Sequence, residues 1–178
     1  MTTRKNLGDT ELKRLHRDWR RKAPEARLAI LLDDVQTPFN VGAIVRTAAA
    51  ERVERLFLTG SAISPGHQKS RKTSLGTERY LEWEQHETAA AAVDAVRAGG
   101  YRIVGVELAS GAVPLFEADL AGDVCLAVGH EDRGLSPTVL AACDQLAYIP
   151  QLGKVGSLNV AHAAAIAIYE VRRRSWLP

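Results

Sequence analysis

Five polar residues stand where the chain otherwise prepares for burial. Asn40 and Arg46 lie in "NVGAIVRTAAA" (40–50), Glu131 lies in "GHEDRGLS" (129–136), and Ser157 and Asn159 lie in "GKVGSLNV" (153–160). A carboxylate, a guanidinium, a hydroxyl and two carboxamides can together accept a proton, clamp an anion and orient a polar substrate. Arg46 is a lone cation between Ile44-Val45 and a run of small residues. It either snorkels from or pairs within an apolar helix, or it faces an anionic substrate, which is the preferred reading. Glu131 is the candidate base, with holding loop backbone or pairing Arg46 as its structural alternatives. Asn40, just after Pro38, can cap a helix. Ser157 and Asn159 can cap the helix that follows them and present an oxygen and an amide at the edge of the core, where a small-molecule cleft can form.

These residues need a scaffold, and the apolar pattern supplies one. Segments 28–35, 55–60, 101–108, 124–131 and 147–150 read as strands, several continuously apolar, as in a parallel sheet covered on both faces. Helical patterns occupy 41–52, 87–98 closed by Gly99-Gly100, and 137–144, where Ser136 caps and Pro137 takes the first turn. In the last helix Val160, Ala163, Ala164, Ala167, Ile168 and Val171 make an apolar stripe and Ala161, Ala165 and Ile166 fill most of the rest, so burial nearly all round is expected. The alternation predicts an α/β sandwich with right-handed crossovers and ligands beyond the carboxyl ends of the strands. The loops in that position, "QTPFN", "GHEDRGLS" and "QLGKVGSLN", adjoin or contain the polar residues above. No G-x-G-x-x-G or G-x-x-x-x-G-K-[ST] is present, which argues against conventional dinucleotide and P-loop sites. "SPGHQKSRKTSLGTER" (64–79) reads as a basic, turn-rich loop.

With 178 residues, 46% of them hydrophobic and 25% charged, one globular domain is expected. The net charge of +2 hides an asymmetry: residues 1–27 carry nine Lys/Arg against four Asp/Glu, leaving 14 against 17 for the rest. A basic arm, taken as 1–24 ahead of a domain at 25–178, suggests a polyanionic partner; its alternative is a helix packing through Leu12, Leu15 and Trp19. Apolar stretches are too short to span a bilayer and "MTTRKNLGDT" has no signal core, so a soluble cytoplasmic protein with no membrane partner is expected. Cys125 and Cys143 lie in apolar runs without zinc-ligand spacing and are expected as buried free thiols.

Taken in order, "NVGAIVRTAAA", "GHEDRGLS" and "IPQLGKVGSLNVAHAAAIAIYE" (149–170) resemble the three sequence motifs of the SpoU/TrmH branch of the SPOUT methyltransferases, over roughly residues 28–174. The resemblance implies a 2′-O-ribose methyltransferase acting on RNA, tRNA before rRNA, with S-adenosylmethionine. It also implies a parallel-sheet α/β/α sandwich with a deep C-terminal trefoil knot, and a homodimeric active site. It assigns chemistry to Asn40, Arg46, Glu131, Ser157 and Asn159, and the cofactor to Glu107, Gly129, Ile149, Ser157 and Leu158, with Ile149-Pro150 as an apolar shelf and no metal. Arg46 is the family's proposed base, yet a guanidinium keeps its proton, so clamping is its safer role and Glu131 is the rival base. Gly42, one turn before Arg46, is expected to clear space for a phosphate or ribose. Gly129 is expected to keep a side chain out of a ligand's way, and Gly134 to allow the return turn. His130 and the pair Ala161-His162 depart from common family residues. A catalytically inactive RNA-binding protein of the same fold, and a small-molecule enzyme with an incidental basic arm, are the competing readings.

Overall fold

The strands β1 (Leu28–Asp33) and β6 (Val124–Gly129) are buried at every residue, as continuous apolar runs require of strands covered on two faces. The computed structural model to which they belong describes residues 5–21 and 26–176. The other strands are β2 (Arg55–Thr59), β3 (Glu82–His86), β4 (Arg102–Val106), β5 (Val113–Pro114) and β7 (Gln145–Tyr148). The helices are α1 (Asp9–Arg21), α2 (Pro38–Ala50), α3 (Gln68–Ser74), α4 (Ala89–Ala98), α5 (Pro137–Ala142) and α6 (Val160–Trp176), with a 3-10 turn at Thr77–Tyr80. All pairings are parallel and the seven strands run in the order β3-β2-β1-β6-β4-β7-β5.

Alternation along β1 divides the core. Leu28, Ile30 and Leu32 join Val41, Ile44 and Ala48 of α2 and Ala164, Ala167 and Ile168 of α6 on one face. Ala29 and Leu31 join Ala92 and Val96 of α4 and Val139 of α5 on the other. The expected sandwich is therefore present, with helices on both sides of a parallel sheet.

Several local expectations change. β3, "EWEQH", carries no buried residue, and its polar edge-strand sequence gives no apolar run to read. The expected basic loop holds α3 and the 3-10 turn, because Ser70 and Ser74 pack inward while the charged residues stay outside. Thr37 precedes Pro38 at the first position of α2, so Asn40 lies inside the helix and is not its cap. α6 is not buried all round: Ile166 is 44% and Tyr169 52% exposed, and His162 is exposed beside them. Cys125 is a buried free thiol, but Cys143 is only partly buried. Burial pushes both thiols up, Cys143 to about 11, so both stay protonated.

α1 follows dipole rules, with Asp9 and Glu11 in its first turn and Arg20 and Arg21 in its last. It buries no residue, and Leu12, Leu15 and Trp19 remain 40%, 42% and 48% exposed. Trp19 nevertheless meets Trp176 at the end of α6, ring centres 5.4 Å apart. Residues 22–25, where the arm joins the domain, lie outside the described residues.

Candidate functional site

The carboxyl ends of β4, β6 and β7 and the loop before α6 enclose a cleft of about 300 Å³. Glu107, Gly129, Ile149, Ser157 and Leu158 all line it, together with Gln151. Four separate segments of chain thus bring the expected cofactor residues to one place.

Glu131 projects from the loop after β6 and is held by the start of α2. Its Oε1 accepts from the Thr37 N–H at 2.9 Å and from Asn40 Nδ2 at 2.9 Å, and its Oε2 accepts from the Gln36 N–H at 3.3 Å. Burial would raise its pKa, but the hydrogen bonds from Asn40 and Thr37 outweigh that and hold it at about 2. A carboxylate with so little proton affinity is a poor base. Its hydrogen bonds tie the loop to the start of α2, and no ion pair links it to Arg46 among the described residues.

Asn40 continues the chain of contacts. Its Oδ1 accepts from Asn159 Nδ2 at 3.0 Å, while Asn159 Oδ1 accepts from the Ala161 N–H at 2.9 Å and the His162 N–H at 3.4 Å. Asn159 therefore caps α6 and reaches α2 at once. Ser157, exposed on the cleft rim, makes no side-chain hydrogen bond among the described residues. Arg46 is exposed on α2, outside the residues that line the cleft, and its guanidinium has no acceptor among the described residues. The ion-pair account of Arg46 therefore does not apply, while its exposed head on an apolar helix leaves both the snorkelling and the substrate-facing readings in place.

Two aspartates at the end of β1, unassigned from sequence, brace the same loop. Asp33, 2% exposed, accepts from Thr59 Oγ1 at 2.8 Å and from the Ser136 N–H at 2.6 Å. Asp34 pairs with Arg133 at 2.6 Å and accepts from the Ser61 N–H at 2.9 Å, with its backbone at φ 59°. A doubled carboxylate closing an apolar strand was the available signal. Glu107 adds a third brace, accepting from the N–H groups of Leu135 at 3.0 Å and Leu108 at 3.1 Å.

The glycines serve the protein's own packing. A Cβ on Gly42 would strike the Ser70 carbonyl oxygen and come 2.8 Å from Thr73 Cβ, so its bareness admits α3 against α2 and opens no path for a ligand. A Cβ on Gly129 would overlap the backbone of Gly134 and Leu135, whose loop returns through the His130–Gly134 bridge, so the loop itself already requires glycine at this place in the cleft lining. Gly134, at φ 67°, makes that return turn as expected.

The lining suits S-adenosylmethionine. Val128, Ile149 and Leu158 give apolar surface for a base, and the Oε1 of Gln151 is buried without a hydrogen-bond partner among the described residues, an acceptor available to an amino or hydroxyl donor. Among the described residues no three His, Cys, Asp or Glu side chains converge as metal ligands, and His130 Nδ1 accepts from the Asp132 N–H at 3.0 Å.

Comparison with known proteins agrees with this arrangement. The sequence model of the SpoU rRNA Methylase family matches residues 27–169. The chain is 34% identical over 148 residues to the 23S rRNA (guanosine-2′-O-)-methyltransferase RlmB of Acinetobacter baylyi, covering 83% of this chain and 60% of that one. It is 33% identical over 156 residues to the tRNA (guanosine(18)-2′-O)-methyltransferase of Escherichia coli, covering 86% and 66%. Its fold is similar to that of the SpoU methyltransferase AviRb from Streptomyces viridochromogenes, solved with the cofactor AdoMet, at a TM-score of 0.76 and 32% identity over 84% of this chain and 61% of that one. The chain thus spans less than two thirds of the length of each of these relatives.

Proposed function

The chain belongs to the SpoU rRNA methylase family, and from that membership we propose that it is an S-adenosylmethionine-dependent RNA 2′-O-ribose methyltransferase. The observation that carries the reading is the Asn159–Asn40–Glu131 chain of hydrogen bonds, which ties α6, α2 and the loop after β6 around the cleft mouth. A ribose 2′-hydroxyl is a weak nucleophile, so the site's task is alignment and relief of its proton as the C–O bond forms. The cofactor supplies a methyl group activated on a sulfonium. Glu131 keeps the loop and the start of α2 in register. Arg46, charged and free of internal acceptors, clamps the phosphate beside the target ribose, and Ser157 meets that ribose from the opposite rim. Glu107, Gly129, Ile149 and Leu158 hold the cofactor, with Ser157 at the edge shared by both.

tRNA is the favoured substrate and rRNA the second, both chemistries occurring in the names of the relatives. The enzyme works in the cytoplasm as a homodimer; the exposed Ile166 and Tyr169 on one side of α6 support a second copy as their cover. A C-terminal knot belongs to the same reading, and the place of β7 between β4 and β5 in the sheet supports it. Residues 1–24 act as a basic extension that adds phosphate contacts. Among the described residues no helix is long and apolar enough to cross a membrane.

Transfer of labelled methyl from S-adenosylmethionine to bulk tRNA and to ribosomal RNA, followed by mapping of the modified ribose, tests the proposal. Methyl incorporation at a 2′ oxygen is the expected result. Cofactor and RNA binding with no transfer to either RNA would establish the catalytically inactive alternative.

A further inference from the structure

A second cavity, of about 530 Å³, opens at the other edge of the sheet, where β1 to β4 begin. Arg27, Arg52, Arg55, Arg79, Tyr80 and Tyr101 are among its walls. Two of the four arginines are committed: Arg27 pairs with Asp123 at 2.8 Å and Arg55 with Glu82 at 2.9 Å. The other two have no carboxylate partner among the described residues. Arg79 reaches only the hydroxyl of Tyr80, at 2.9 Å, and lies over that ring 4.8 Å from its centre. Tyr80 itself is 65% exposed. The guanidinium of Arg52 meets no acceptor among the described residues. Glu54 and Glu82 are the carboxylates of the lining, and Asp123 and Glu84 pair with Arg27 and Arg55 from beside it, so Arg52 and Arg79 are the cations without a carboxylate partner among the described residues.

Two features of the surroundings fix the position of Arg52. Arg172, 5% exposed, sits behind the cavity and donates to the carbonyl oxygens of Glu51 at 2.8 Å, Arg52 at 2.6 Å and Ala26 at 3.3 Å, with no salt bridge among the described residues. Glu51 and Glu54 lie near enough to offset part of its charge, so its part here is to hold the carbonyls of Glu51 and Arg52 in place. Arg52 has a left-handed backbone, φ 55°, that glycine would adopt without strain. Keeping an arginine there costs stability and keeps a free cation at the cavity mouth. The contact of Trp19 with Trp176 brings the end of α1, with Arg20 and Arg21, toward the end of α6 that carries Arg172.

We propose that this cavity is a second contact for the RNA substrate, with phosphodiester oxygens on Arg52 and Arg79 and a base or ribose against Tyr80. The inference rests on the RNA reading above. The cavity and the methyl-transfer cleft lie at opposite ends of the strands, at least a strand's length of about 17–20 Å apart, a span that several nucleotides cross. Phosphate contacts here give affinity and register, while the cleft selects the ribose.

The test measures binding of fluorescently labelled bulk tRNA against potassium chloride concentration for the wild type, Arg52→Gly, Arg79→Gln and the double variant. Arg52→Gly relieves the backbone strain, so its melting temperature is expected to hold or rise and misfolding cannot account for a loss of binding. Each single variant is expected to lower the slope of log affinity against log salt by about 0.7–0.9, and the double variant by about twice that. Affinity for S-adenosylmethionine, read by calorimetry, stays unchanged. A double variant with wild-type tRNA affinity and slope would overturn the proposal. So would micromolar AMP binding that the double variant loses while tRNA binding stays intact, since the cavity would then serve a free nucleotide. Should the wild type methylate no RNA while the double variant still loses affinity and slope, the cavity contact stands and the enzymatic reading fails.

Discussion

Asn159 donates its side-chain amide to the side-chain oxygen of Asn40 at 3.0 Å, across 119 residues of chain. The contact joins the start of α6 to the first turn of α2, and Asn40 passes it on to Glu131 at 2.9 Å. Breaking the middle member affects both ends. Asn40→Ala is expected to lower methyl transfer by about 10²-fold and to cost about 1.5–3 kcal/mol, the usual loss for a hydrogen bond to a charged group. Turnover on the mapped RNA substrate and urea unfolding check the two figures.

Glu131 makes its contribution through charge. Its folded pKa of about 2 lies below the ordinary value, so its stabilisation is complete above the unfolded pKa and is lost as pH falls from about 4.5 toward 2. Glu131→Gln should flatten that acid limb of the unfolding curve. The rate-against-pH profile of the variant should keep its wild-type shape at reduced height. Loss of a titrating limb in that profile would identify Glu131 as the base after all.

Arg46 is exposed and has no internal partner, so its replacement should spare the fold. Arg46→Ala is expected to leave stability within about 0.5 kcal/mol of wild type and cofactor affinity unchanged, while methyl transfer falls below detection. Arg46→Lys should also be poor, since a point charge lacks the two-pronged fork that grips phosphate. Full turnover by the lysine variant would remove geometry from the explanation.

Gly42→Ala would drive a methyl group toward Thr73 Cβ, 2.8 Å away, and into the Ser70 carbonyl. Separation of α2 from α3 is expected to cost about 1–3 kcal/mol, read as a fall of several degrees in melting temperature. Were the glycine instead clearing a path for substrate, the variant would keep its melting temperature and lose only RNA affinity.

The exposed side of α6 predicts the assembly. Ile166→Lys combined with Tyr169→Glu should convert the proposed dimer to a 19.3 kDa species in sedimentation. A wild type that sediments as that species at micromolar concentration would remove the homodimer from the proposal.

Much of the scaffold is written locally. Apolar runs at Leu28–Asp33 and Val124–Gly129 specify buried parallel strands, and Ser136-Pro137 specifies a helix start, because period and capping are properties of a few neighbouring residues. The three motifs likewise identify the family without coordinates. β3 escapes because an exposed edge strand needs no apolar alternation, and its place is set by pairing with β2. The tasks of Gly42 and Gly129 depend on which backbone comes opposite, Ser70 for one and Gly134 for the other. The same holds for Glu131, whose choice between base and anchor rests on donors at Gln36, Thr37 and Asn40, more than 90 positions away. Only the order of strands, with β1 beside β6, brings those donors to it, and the resulting hydrogen bonds lower its proton affinity as no sequence neighbour could.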